Sequence, residues 1–299
     1  MDNPLKAGIV RALERRGMVL AGGEANLTKL TGGGWNDVFR LQATGVDWVV
    51  KLYNSGQQAS LFPMLPEAES QALEALRGRK VAPEPVAFLK TENDLQGLGR
   101  PMLVYVYYPG QQWVSGVEPV AELFKRQHAL APDSQRPLAS EPGAILYQGD
   151  QLLTKLGDDA WALRLKTARP APPVSLPRGR RALVHTDAGP ANIIQGGDGL
   201  RLIGWRCPGI GDPAEDLYGF LSPANQTLSK SPLLSLDDHG RFLRHYGDPV
   251  TAERLDLLWP SYSYRMLAYS RLRAMELQHR DPKLSERYRK AFEAEFESL

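Results

Sequence analysis

Leu183-Val184-His185-Thr186-Asp187-Ala188-Gly189-Pro190-Ala191-Asn192-Ile193-Ile194 is the stretch of this chain on which the fold turns. His185, Asp187 and Asn192 sit in a short polar loop between apolar runs. Brief apolar runs bounded by turn formers read as buried strands. Residues 182–184 and 202–203 are therefore predicted as two short strands flanking a polar turn. Phosphoryl transfer asks a protein for an acceptor that orients a hydroxyl, oxygen ligands for Mg²⁺, and cations for the phosphates. Asp187 suits the first and the Asn192 amide oxygen the second. An Asx-type turn stabiliser accounts for both residues without any chemistry.

Upstream, Leu27–Leu30, Val38–Leu41 and Trp48–Tyr53 read as strands, with Gly32, Gly33 and Gly34 in the turn after the first. Residues 66–78 open with Pro66, Glu67 and Glu69, which suit a helix start, and Leu73 and Leu76 continue the stripe. Val86–Leu89 and Pro101–Tyr107 complete a predicted five-stranded sheet with one inserted helix. Residues 5–17 precede it as a short amphipathic helix.

After Pro109-Gly110 the pattern turns helical. Helices are predicted over 119–130, over 141–168 as one long element, and over 252–277 and 283–297. The proline-rich run 170–177 is a loop. The predicted division is a β-rich unit over 1–107 and a mainly helical one over 108–299.

Composition excludes several classes. The 299 residues are 42% hydrophobic and 23% charged, with a formal charge of +2, so a packed core is available and no nucleic-acid partner is indicated. The single cysteine, Cys207, rules out an internal disulfide framework or a multi-cysteine zinc site. No apolar run reaches bilayer length and the first residues lack a signal-peptide core, so no membrane partner and a cytoplasmic location are expected. Oligomeric state is not legible.

The chain resembles, over about residues 25–250, the aminoglycoside phosphotransferase and choline kinase group of protein-kinase-like small-molecule kinases. The resemblance rests on His185-Thr186-Asp187 through Asn192, then Leu202-Ile203-Gly204-Trp205, then Gly211-Asp212-Pro213-Ala214-Glu215-Asp216-Leu217. It implies a two-lobed α/β (α+β) fold with ATP and Mg²⁺ in the cleft. The acceptor would be a hydroxyl of a small molecule: an amino alcohol, or an aminoglycoside-like or thiamine-like compound.

By the same resemblance Asp187 is the catalytic base and Asn192 a metal ligand, while His185, Asp212 and Asp216 brace the loop. Gly32, Gly33, Gly34 and Asn36 form the nucleotide loop. Lys51 grips the phosphates, Glu69 pairs with it, and backbone groups near Val106 and Tyr107 meet adenine. The group has Asp where this chain has Gly204, which removes the principal Mg²⁺ ligand and leaves Asp212 as a possible substitute. That departure keeps a second reading open, a catalytically impaired nucleotide- or metabolite-binding protein.

Trp259, Tyr262, Tyr264 and Tyr269 lie where the related kinases wall the acceptor pocket, and ordinary helix packing is the favoured account of them. His128 falls on an apolar stripe, as a core residue would, and the basic run 178–181 reads as a solvated loop. Cys207 has no His or Asn arranged to activate it and is expected to be inert.

Overall fold

A computed structural model describes residues 4–30, 36–54, 61–90, 98–132 and 135–299. The predicted glycine turn, Gly32, Gly33 and Gly34, lies outside the described residues.

Five strands form the first sheet: β1 (Ala25–Lys29), β2 (Asn36–Ala43), β3 (Val46–Tyr53), β4 (Pro85–Leu89) and β5 (Met102–Val106). Their order is β1-β2-β3-β5-β4, with every pair antiparallel. Alternation along β3 decides what each face carries. Val50 and Leu52 point toward helix α1 (Pro4–Arg15), where they pack with Ile9 and Leu13. Lys51 and Tyr53 point to the opposite face, where helix α2 (Pro66–Ala75) supplies Glu69.

The remainder is mainly helical. It comprises α3 (Val117–His128), α4 (Pro142–Lys155), α5 (Ala160–Thr167), α6 (Ala214–Leu221), α7 (Pro223–Ser229), α8 (Leu236–Tyr246), α9 (Pro249–Leu277) and α10 (Pro282–Glu297). The long helix predicted over 141–168 is two helices. Gly157 turns through φ +60° and ends the first. The Asp159 carboxylate then accepts from the N–H groups of Trp161 and Ala162 and starts the second. Apolar spacing runs through the break, which hid it.

The decisive stretch is pinned on both sides by short strands. β7 (Ala182–Val184) pairs with β10 (Gly209–Gly211), and β8 (Ile193–Gly196) sits between β6 (Gly110–Gln112) and β9 (Gly199–Leu202). The two strands expected at this point are thus part of five, and residue 203 lies just past β9. The result is a two-lobed, protein-kinase-like α+β fold with a small β-rich lobe and a larger helical one. No helix among the described residues is long and apolar enough to cross a membrane.

Candidate active site

A cavity of about 940 Å³ opens between the lobes. Asn36, Lys51 and Tyr107 line it from the sheet side, and Asp187, Asn192 and Gly204 from the helical side. Residues far apart in sequence are brought together because β3 ends at one wall and the 185–192 loop forms the other.

Lys51 is buried, and its Nζ donates to both Glu69 oxygens, at 2.8 and 2.6 Å. The Tyr53 hydroxyl donates to Glu69 Oε2 at 2.7 Å. An ammonium held this way presents a fixed positive charge at the cavity wall. Asn36 is also buried, and its Oδ1 accepts from the N–H of Asn54 at 3.2 Å.

Asp216, on α6, organises the loop. Its carboxylate is fully buried and accepts from the N–H groups of His185 and Thr186, both at 2.8 Å, from Gln127 Nε2 at 2.6 Å and from His128 Nε2 at 3.1 Å. Burial pushes its pKa up, but the His128 hydrogen bond and the surrounding donors outweigh that and hold it below the usual 3.8. These bonds hold Thr186 at φ +69°, an uncommon conformation for a β-branched residue.

His185 is the second brace. Its Nε2 donates to the Ile203 carbonyl at 2.9 Å, and its Nδ1 accepts from the Asp187 N–H at 3.2 Å. One donor and one acceptor describe a neutral ring. Burial keeps its pKa below 6.5, against the opposing pull of Asp216 and Asp187.

Asn192 Nδ2 donates to the Asp187 carbonyl at 2.7 Å, so the two ends of the loop are tied. The Asp187 side chain faces the cavity and accepts from Arg206 Nη2 at 2.9 Å. Arg206 also lines the cavity and stacks over the Phe62 ring at 5.4 Å. Nothing in the sequence marked this residue; the only available signal was a cation two positions beyond the glycine that departs from the group.

Other expected residues have different surroundings. Asp212 accepts from Arg254 Nε at 2.8 Å and Nη2 at 2.6 Å, and caps the Ala214 N–H at 3.0 Å. It is not in the cavity wall. Of the backbone groups expected to meet adenine, the Val106 N–H donates to the Glu84 carbonyl at 2.8 Å and the Tyr107 N–H to the Asp47 carbonyl at 2.9 Å. Both bonds close the end of the sheet.

Tyr262 is fully buried and stacks on Tyr218, Trp259 packs edge-on to Tyr218, and the Tyr264 hydroxyl donates to Asp150 at 2.8 Å. None of the three lines the cavity. Burial pushes the Cys207 thiol up to about 11, as an inert cysteine requires.

The Mg²⁺ that the resemblance implies can be tested against these donors. Magnesium takes oxygen ligands in a near-octahedral shell and is usually held by one or two carboxylates plus phosphate. Among the described residues the only carboxylate lining the cavity is Asp187, and it is paired with Arg206. Position 204 offers no side-chain oxygen, and Asp212 is committed to Arg254. No group of three His, Cys, Asp or Glu side chains placed to hold a metal ion occurs among the described residues. Asn192 alone does not make a magnesium site, so the donor set does not fit the ion.

Residues 26–250 match the sequence profile of the family described as the phosphotransferase enzyme family. The chain belongs to that family. Solved structures similar to this family member have low sequence identity and share its fold. A choline/ethanolamine kinase family protein from Mesorhizobium loti is 18% identical with a TM-score of 0.63, covering 98% of this chain and 94% of its own. Ethanolamine kinase from Plasmodium vivax is 14% identical with a TM-score of 0.64, covering 97% and 87%. A spectinomycin phosphotransferase solved with ADP and spectinomycin is 13% identical with a TM-score of 0.60, covering 93% and 95%. No curated protein matches the chain in sequence.

Proposed function

We propose that this phosphotransferase-family protein transfers the terminal phosphoryl group of ATP to a hydroxyl of a small molecule. The observation that carries the reading is the convergence of the Lys51–Glu69 pair and Asp187 on one interlobe cavity. ADP in the similar spectinomycin phosphotransferase supports a nucleotide in that cavity.

Lys51 would hold the phosphates through its ammonium, kept in place by Glu69. Asp187 would orient the acceptor hydroxyl and take its proton as the new O–P bond forms and the bond to the leaving diphosphate breaks. Asp216 and His185 would position Asp187 through the loop backbone rather than touch substrate.

The test is phosphoryl transfer from ATP to a panel of amino alcohols, aminoglycosides and thiamine-like alcohols, with Asp187→Asn and Lys51→Met as controls. Transfer that falls at least about a hundredfold in Asp187→Asn is expected. Transfer equal in wild type and Asp187→Asn overturns the assignment. Gly204 favours a second reading, nucleotide binding without transfer, which predicts ATP binding lost in Lys51→Met and no product with any acceptor.

A further inference from the structure

The cavity has an unusual charge balance for a site expected to hold a metal. Lys51, Arg206, Lys230 and Arg287 line it against one lining carboxylate, Asp187, among the described residues, with the Glu69 carboxylate behind Lys51. Lys51 and Arg206 come from opposite walls, on β3 and just beyond β9. Arg287 arrives from α10, and Lys230 follows the end of α7.

ATP without a metal is more negative than its magnesium complex by the metal's own charge. A cavity rich in cations and poor in carboxylates complements the metal-free form. A cavity built for the magnesium complex needs carboxylates beside the phosphates. The residues at 204 and 206 bear on this balance together. Gly204 puts no side-chain oxygen on the cavity wall, and Arg206 puts a guanidinium at the same edge, against Asp187. A guanidinium offers a rigid fork of N–H donors suited to phosphate oxygens. Arg206 is largely buried, with its side chain only 12% exposed, so its charge is weakly screened.

We infer that Arg206 takes the charge-balancing role that a divalent ion would have beside the phosphates, and that the cleft binds ATP in its metal-free form. This rests on the nucleotide reading above. Without ligand, Arg206 pairs with Asp187. With ATP present the triphosphate offers the guanidinium a second, more highly charged acceptor.

The experiment is calorimetric titration of the full chain with ATP, once in excess EDTA and once in excess Mg²⁺. Wild-type affinity is expected to be equal or higher in EDTA. Arg206→Ala is expected to lose about tenfold or more in EDTA, the worth of one charge-assisted contact. Arg206→Lys keeps the charge without the fork and should fall between the two. Melting temperatures of both variants show whether each is folded. Gly204→Asp, which adds a carboxylate to the cavity wall, is expected to bind ATP more tightly with Mg²⁺ than without.

Wild-type affinity that rises tenfold or more with Mg²⁺ overturns the inference and leaves the nucleotide reading intact. Folded Arg206→Ala and Arg206→Lys that both bind like wild type in EDTA also overturn it. Absence of ATP binding in both conditions overturns the nucleotide reading and this inference with it.

Discussion

Gly204 lies directly against Asn192: a Cβ at residue 204 would stand 2.7 Å from Asn192 Oδ1, and the Gly204 backbone turns through φ +79°. The contact and the conformation together tie position 204 to the side chain that bridges to the Asp187 carbonyl. Gly204→Ala is therefore expected to cost about 1–2 kcal/mol, because a left-handed backbone crowds a Cβ against its own carbonyl. The Asn192 amide must also shift. Gly204→Asp should cost less than Gly204→Ala, since Asp hydrogen-bonds locally in this conformation. Urea unfolding of both variants measures the order; Ala milder than Asp would contradict it.

Stability should fall as pH drops from 7 toward 5. His185 is held neutral, its pKa below 6.5 in the folded chain because it is buried. The unfolded chain then binds the extra proton first. The stabilising contribution of the neutral ring is complete above about 6.5 and shrinks as pH falls toward the folded value. His239 is held down by burial too and adds a slope of the same sign. In a His239→Gln background, replacing His185 with Gln should flatten the remaining slope of unfolding free energy between pH 5 and 7. Asp216 acts in a separate window: its lowered pKa adds stability that is lost only as pH falls below its unfolded 3.8. A slope unchanged by His185→Gln would show that His185 does not carry this dependence.

The strands of the first sheet and most of the helices were legible because their periods are local properties of sequence, whereas the two-lobed architecture was legible only through the resemblance carried by residues 183–217. Lys51, Asp187 and Asn192, picked out by their order in the chain, line the cavity, and Glu69 holds Lys51 from behind. What stayed hidden depends on contacts across the fold. Arg206 gains meaning only when residues 203–206 fold back over Asp187. The Val106 and Tyr107 N–H groups are consumed by partners at Glu84 and Asp47, and neither pairing is visible in a strand pattern. Asp212 reads as a spare ligand until Arg254, on a distant helix, takes its carboxylate.

The Lys51–Glu69 pair should behave as a unit. Both side chains are more than nine-tenths buried, at 7% and 2% exposure. Removing one partner leaves a charge without compensation, a loss of about 3–5 kcal/mol. Lys51→Met and Glu69→Leu are each expected to destabilise by that order. The double variant should be milder than the sum of the two, because no lone charge remains. Tyr53→Phe, which removes only the hydroxyl bond to the Glu69 carboxylate, should cost about 1.5–3 kcal/mol. A thermodynamic cycle from denaturant unfolding tests the coupling; strict additivity would mean that the pair is not coupled.

Glu295 joins the C-terminal helix to the lobe core. It is fully buried on α10, and its Oε1 accepts from the hydroxyls of Tyr218 and Ser263, both at 2.7 Å. Its Oε2 accepts from the Ser222 hydroxyl at 2.7 Å and the Ala224 N–H at 3.1 Å. Four donors therefore converge on one carboxylate from α6, α7, α9 and the junction at Ser222. Glu295→Ala leaves all four without an acceptor, and at least about 3–5 kcal/mol of stability should be lost. Glu295→Gln should be milder, about 1–3 kcal/mol. Its oxygen can still take the Ala224 N–H, and the Tyr218 and Ser263 hydroxyls can rotate to accept from its amide. Because α10 also carries Arg287 into the cavity, Glu295→Ala should weaken ATP binding beyond what any residual unfolding explains. Unfolding free energies for the two variants, read with ATP affinity at a temperature where both are folded, test the link. Wild-type affinity in a destabilised Glu295→Ala would confine the residue to stability alone.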